Sequence, residues 1–263
     1  MPEPGADRLV PRPDTGRTFQ ATRRARFGDL DPRGRLRFDA LARFLQDVSS
    51  DDTSDAGLEN DVAWVVRRTA IALVTPPRFR ELLTLTTFCS GTGGRWAERR
   101  VSVEGDRGAT IEAVSLWVHL DARSGRPLPL PADFHTHYDE AAQGRQVSAR
   151  LQHPSEVPPD GDRRSWPLRA TDFDLLGHVN NAATWSVVED VLADRPHLRA
   201  PLWAELEYRA AIEPGDAVEV VTCDTEDATG PTTTVWMVEA AGAAIGSDAP
   251  RLFATARLRP HLG

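Results

Sequence analysis

The sequence predicts an α+β protein made of two like units in tandem, each a strongly curved antiparallel sheet wrapped around one central helix. Three observations carry that expectation. A segment near the start recurs half a chain later, each copy turns from strand-like to helix-like periodicity, and four extended segments follow each copy.

Residues 29–48 (DLDPRGRLRFDALARFLQDV) and 172–191 (DFDLLGHVNNAATWSVVEDV) align without a gap at an offset of 143. Six of the twenty positions are identical: Asp29 and Asp172, Asp31 and Asp174, Gly34 and Gly177, Ala40 and Ala183, Asp47 and Asp190, Val48 and Val191. Chance would supply about one. A strand-like run precedes each copy, 18–27 (TFQATRRARF) in the first and 166–171 (WPLRAT) in the second. In the tails, Leu41, Phe44, Leu45 and Val48 lie at i, i+3, i+4 and i+7, as do Thr184, Val187, Val188 and Val191, so both tails read as amphipathic helices.

Extended, β-branched segments follow at 62–74, 81–89, 95–104 and 111–120, and again at 203–212, 217–223, 232–239 and 252–259. Glycine-bearing turns such as EGDRGA and EPGD separate them. One helix can lie along the concave face of one curved sheet, which is the hot-dog arrangement, and two such units can pair edge to edge. The expected organisation is a flexible tail at 1–15, a first hot-dog at 16–138, a connector at 139–163 with room for a short helix around 140–151, and a second hot-dog at 164–263.

The 263 residues suit two modest domains, and 40% hydrophobic with 27% charged residues suits a folded chain. No apolar run approaches the roughly 18 residues of a membrane span, and the start lacks a signal-like stretch, so the default expectation is a cytoplasmic protein. A net charge of −8 argues against nucleic acid as a partner. All 31 fixed cations are arginines, which excludes Schiff-base and P-loop lysine chemistry. Cys89 and Cys223 have no metal-ligand or CxxC spacing and read as inert core thiols. His135 and His137 form an HxH at strand spacing without a third ligand, so neither a metal nor any other cofactor is expected.

DFDLLGHVNN followed by a helix bearing Glu189 resembles the signature of hot-dog thioesterases. With the duplication, WVVRRTAIAL and LEYRAAIEPGD, the chain from about 18 to 260 resembles the bacterial branch of the acyl-acyl-carrier-protein thioesterases. The resemblance implies hydrolysis of the thioester between a fatty acyl chain and the phosphopantetheine arm of acyl carrier protein; the internal duplication leaves monomer and homodimer both open. Plant members carry an aspartate, an asparagine, a histidine and a more distant glutamate. Here these fall on Asp174, Leu176, His178 and Ala211, so two of the four polar groups are absent.

A thioester hydrolase needs an activated water or carboxylate nucleophile, and donors aimed at the developing oxyanion. Asp174 ends a strand before a glycine turn, and His178, Asn180 and Asn181 precede a helix whose first N–H groups lack helical partners. Asp174 is the expected nucleophile or general base, with His178 and the asparagines orienting it or the substrate. Asp172 reads as a turn residue, and an asparagine pair before a helix also reads as a cap. Glu189 has two readings of equal weight, a reserve carboxylate or the partner of an arginine. The first copy has Arg35, Arg37 and Phe38 in place of His178, Asn180 and Asn181, and so reads as catalytically reduced. Gln46, Trp64, Arg67 and Trp185 are the expected substrate-binding residues. Arginines 23, 24, 26, 33, 35 and 37, or 67 and 68, form either a carrier-docking surface or a solvated face. The competing functions are a noncatalytic acyl-binding protein and a hydroxyacyl-thioester dehydratase.

Overall fold

The computed structural model describes residues 9–58, 62–121, 123–227, 230–241 and 250–261. The first half contains β1 (Phe19–Arg24), α1 (Phe38–Asp55), β2 (Val62–Thr75), β3 (Leu82–Thr92), β4 (Trp96–Gly105) and β5 (Thr110–Asp121). After α2 (Ala132–Ala142) come β6 (Asp162–Trp166), α3 (Asn181–Ala193), β7 (Leu202–Tyr208), β8 (Val218–Asp227), β9 (Gly230–Glu239) and β10 (Leu252–Pro260). Among the described residues the strands form one antiparallel sheet in the order β1-β3-β4-β5-β2-β7-β10-β9-β8-β6. That order is the same from either end, so the halves are copies related by a pseudo-twofold. They meet along β2 and β7, from Arg68 opposite Glu207 to Leu73 opposite Leu202. The ladder pairs two edges that separate units would leave exposed.

The offset of 143 holds at atomic detail. β1 and β6 start 143 residues apart, and the Leu30–Leu36 bridge recurs as Phe173–Val179. Gly34 and Gly177 sit at φ 84° and 77°, a conformation that disfavours any residue with a Cβ. On the concave face α1 and α3 pack side by side. Leu41, Leu45 and Val48 of α1 and Trp185, Val188 and Val191 of α3 share one buried cluster. Phe38 stacks on Trp185 with centroids 5.6 Å apart.

Some boundaries differ from expectation. β6 ends at Trp166, because Pro167 has no N–H for the ladder, and the chain turns through a 3-10 segment at Ala170–Asp172. The helix expected around 140–151 instead spans Ala132–Ala142 and stops at Gln143 and Gly144, both in the left-handed region. His135 and His137 therefore lie on a helix, not a strand, with His135 exposed and His137 half-buried.

The chain after α2 is pinned to the sheet face opposite α1 and α3. Trp96 and Trp236 donate their indole N–H groups to the carbonyls of Val147 and Pro154, and Glu207 accepts from the backbone N–H groups of Gln152 and His153. Within the expected tail, residues 1–8 lie outside the described residues, but Leu9 packs against Ala70, Ala72 and Trp203, and Arg100 donates to the carbonyl of Val10. No helix among the described residues is long and apolar enough to cross a membrane.

Candidate active site

Each repeat forms the same turn before its helix. Asp29 and Asp172 accept the backbone N–H groups of Arg26 and Arg169, both at 2.8 Å, so Asp172 serves the turn. The next aspartates diverge. Asp31 accepts the N–H groups of Arg33 and Arg35 at 2.9 Å. Burial pushes its carboxyl up, but those bonds and the two guanidinium charges outweigh it and hold the group below its usual range. Asp174 accepts one backbone N–H, from Leu176 at 2.9 Å, and the side-chain amide of Asn180 at 3.3 Å. Asn180 also caps α3, its Oδ1 accepting the Ala182 N–H at 2.8 Å. The N–H groups of Asn181 and Ala183 are left without helical partners, at the positive end of the helix dipole.

The pseudo-twofold presents each helix N-terminus to the other helix. Position 189 of α3 corresponds to position 46 of α1, since 189 − 143 = 46. Glu189 accepts the backbone N–H of Phe38 at 2.5 Å and makes a forked pair with Arg35, at 3.1 and 2.5 Å. The α1 end is thus filled by a carboxylate and its cation. At the α3 end the corresponding residue is Gln46, whose amide makes no hydrogen bond to another described residue, and an opening takes the place of the ion pair.

That opening is a small cavity walled by Asn181, Ala182, Trp185, Tyr208, Thr69, Ser115, Gln46 and Trp117. Gln46 and Trp117 also line a much larger cavity in the first half, of about 400 Å³, with Trp64, Phe134, Tyr138 and Arg99. The two spaces are therefore neighbours that share Gln46 and Trp117 in their walls. Tyr208 anchors the α3 end: its hydroxyl accepts from Trp185 Nε1 and donates to the Asn181 carbonyl, both at 3.0 Å. Burial pushes the Tyr208 phenol far up, so it remains a donor.

The structure brings Asn181, Gln46 and Trp185 to the small cavity and Trp64 with Gln46 to the large one. Asp174, Asn180 and exposed His178 line neither; Asn180 links the Asp174 carboxylate to the cavity wall through its neighbour Asn181. Arg67 lines neither of these two cavities and donates to the Tyr208 carbonyl at 2.9 Å. Cys89 is buried beside the large cavity and its thiol is pushed by burial to about 11. Cys223 is half-buried, not a core thiol, because it faces out near the end of β8. Tyr208, Trp117 and Arg99 escaped the sequence reading. An aromatic or an arginine in a strand carries no local mark of facing a cavity, although the LEYR segment did mark the neighbourhood of Tyr208.

His153, Glu205 and Glu207 each bring a ligand-type atom within 4.8 Å of the others on the outer sheet face. Arg68 lies 3.6 Å from Glu205, and Arg209 donates to Glu207 at 3.2 Å. Cations of the protein already neutralise both carboxylates, and the cluster holds the connector in place.

Fold and site together define a tandem hot-dog protein with one of its two helix N-termini open to a cavity and the other closed. Family models agree: the acyl-ACP thioesterase N-terminal domain matches residues 16–138 and the C-terminal domain residues 156–247. The chain belongs to the acyl-ACP thioesterase family and is a thioesterase, an enzyme of thioester hydrolysis. An uncharacterised protein of Mycobacterium tuberculosis is 32% identical over 215 residues, 81% of this chain and 85% of that protein. Two solved structures share the fold. A candidate oleoyl thioesterase of Lactobacillus plantarum has a TM-score of 0.74 at 20% identity, over 94% of this chain and 98% of the other. The 12:0-ACP thioesterase of Umbellularia californica has a TM-score of 0.72 at 18% identity, over 93% and 94%.

Proposed function

We propose that the chain releases fatty acids from acyl carrier protein, and also accepts acyl-coenzyme A, at a single site at the N-terminus of α3. The observation that carries this reading is the asymmetry of the two helix ends. Glu189 and Arg35 fill one, whereas Gln46 faces a cavity at the other.

In this reading the thioester carbonyl points at the free N–H groups of Asn181 and Ala183, and the acyl chain passes Gln46 and Trp117 into the large cavity. Asp174, fixed by Leu176 and Asn180, takes a proton from water as the water oxygen attacks the carbonyl carbon. The tetrahedral intermediate then collapses, the C–S bond breaks, and the proton passes from Asp174 to the leaving thiolate. His178 and Asn180 orient the carboxylate and the thioester arm. Glu189 takes no part, because its oxygens are committed to Phe38 and Arg35.

The carrier docks on part of the arginine set. Arg23 is engaged by Asp47 and Asp51, Arg37 by Asp39, and Arg68 by Glu98 and Glu205. Arg33 faces Asp31 at 3.5 Å, whereas Arg24 and Arg26 stay exposed just before the exposed Phe27, whose ring meets Phe79 under the Arg80 guanidinium. An acidic carrier protein complements this basic and aromatic patch.

Thiol release from a graded panel of acyl thioesters on both carriers tests the reading. Release is expected from both. Arg26→Glu with Arg80→Glu should raise KM for the protein carrier and leave acyl-coenzyme A turnover in place. Binding of acyl chains with no thiol release would contradict the hydrolase and favour a noncatalytic protein.

A further inference from the structure

The wall of the large cavity is mostly apolar, with polar groups gathered along one side. On α1 the residues facing it are Gln46, Ser49, Ser50 and Thr53, at helical spacing on one stripe; Ser49 and Thr53 donate their hydroxyls to the Leu45 and Ser49 carbonyls, so Gln46 and Ser50 keep free polar groups. The same helix places Leu41, Leu45 and Val48 against the core, so the change of character follows the face. The opposite wall is aromatic, with Trp64, Trp117, Phe134 and Tyr138.

Arg99 of β4 lines the same space with its side chain only 11% exposed. Its Nη1 bonds Asp52 and lies 3.4 Å from the Thr87 hydroxyl, and its guanidinium sits 5.3 Å from the Tyr138 ring centre. Beyond Asp52, Thr87 and Tyr138, the Arg99 guanidinium has no hydrogen-bond partner among the described residues. Asp52 has little acceptor capacity to spare, because it also accepts Arg17 Nε at 2.8 Å and the Tyr138 hydroxyl at 2.8 Å. Burial lowers the affinity of Arg99 for its proton, but the Asp52 carboxylate more than restores it, so the group stays cationic. A guanidinium that lines a mostly apolar cavity gains from an acceptor placed there.

We propose that the large cavity takes acyl chains bearing an oxygen function, a hydroxyl or a keto group, on their distal half, with Arg99 as the recognising residue. The proposal rests on the reading that the acyl chain enters from the α3 end. Thr53 is seven residues beyond Gln46 on α1, roughly 10 Å further along the helix from the wall the two cavities share. Arg99 bonds Asp52 at that depth, which places the oxygen far from the thioester. The cluster is balanced, since Arg17 and Arg99 face Asp52 and Asp55, so a neutral oxygen fits better than a carboxylate.

The test compares hydrolysis of decanoyl, ω-hydroxydecanoyl and decanedioyl pantetheine thioesters. The hydroxylated chain should exceed the plain one in kcat/KM by about tenfold or more, the scale of one hydrogen bond to a charged group, and the dicarboxylate should not. In Arg99→Met with Asp52→Asn the ratio should fall to about one. Should that variant fail to fold, Ser50→Ala with Thr53→Val should still narrow it. Equal or better hydrolysis of the plain chain would overturn the proposal while leaving the thioesterase intact. If no thioester is cleaved, the hydrolase reading fails by itself. Calorimetric binding of ω-hydroxydecanoic against decanoic acid then decides the inference: tighter binding of the hydroxy acid supports it and equal binding refutes it.

Discussion

Glu189 shows how a residue's chemistry is settled by what it touches. Its carboxylate takes the N–H of Phe38 and the fork of Arg35, with side-chain exposures of 12% and 16% for the pair. Removing the acid leaves Arg35 without its forked partner and the α1 end uncapped. Glu189→Ala should therefore cost about 3 kcal/mol of unfolding free energy in urea while kcat persists in the folded fraction. A collapse of kcat with unchanged stability would instead make Glu189 catalytic. Asp39 gives a pH signature. Burial pushes its carboxyl up, but Arg37 and Arg43 outweigh that and hold it below its ordinary value of 3.8. A depressed folded value means its stabilisation is complete above the unfolded pKa and is lost as pH falls through the folded one. The urea midpoint should be flat above about pH 5 and decline below about pH 4, with a shallower decline in Asp39→Asn. Cys89, pushed to about 11 and buried, should resist alkylation at pH 8 under conditions that label the half-buried Cys223.

At the scale of elements, α3 is held at its N-terminus by two devices, the Asn180 cap and the Tyr208 hydroxyl under the Asn181 carbonyl. Asn180→Ala removes the cap and the amide that contacts Asp174 together. It should cost about 1 kcal/mol of stability and lower kcat by more than that loss explains, which kinetics on the fully folded enzyme would show. Much of this element was legible beforehand, because Asp, Gly and Asn at fixed offsets encode a turn and a cap locally. The two strand-to-helix turns matched for the same reason. β6 lies before the run at 166–171 that the sequence suggests, because Pro167 cannot extend the ladder beyond Trp166. α2 was displaced because its HxH reads equally as strand or helix, and the left-handed Gln143 that ends it has no strong local signal. The partnership of Glu189 with Arg35, 154 residues apart, depends on how the halves meet and was not legible in either repeat.

At the scale of the whole molecule, the duplication supplies two equivalent helix ends and the sequence has filled one of them. The chain provides within itself the facing helix that a single hot-dog unit takes from a second copy. The large cavity lies in the first half and the open helix end in the second, so in the proposed reading neither half holds a complete site. Cavity shape follows from packing among α1, β4, β5 and α2, which periodicity does not report, and the polar lining by Arg99 and Tyr138 stayed hidden for that reason.

The account stands on one functional end per chain, and the direct test is steady-state thiol release by Asp174→Asn beside Asp31→Asn, both checked for native stability. Asp174→Asn should lower kcat by about two to four orders of magnitude, the usual worth of a positioned acid–base group, while Asp31→Asn keeps turnover near that of the parent. Equal losses in the two variants, or full activity without the Asp174 carboxylate, would contradict it.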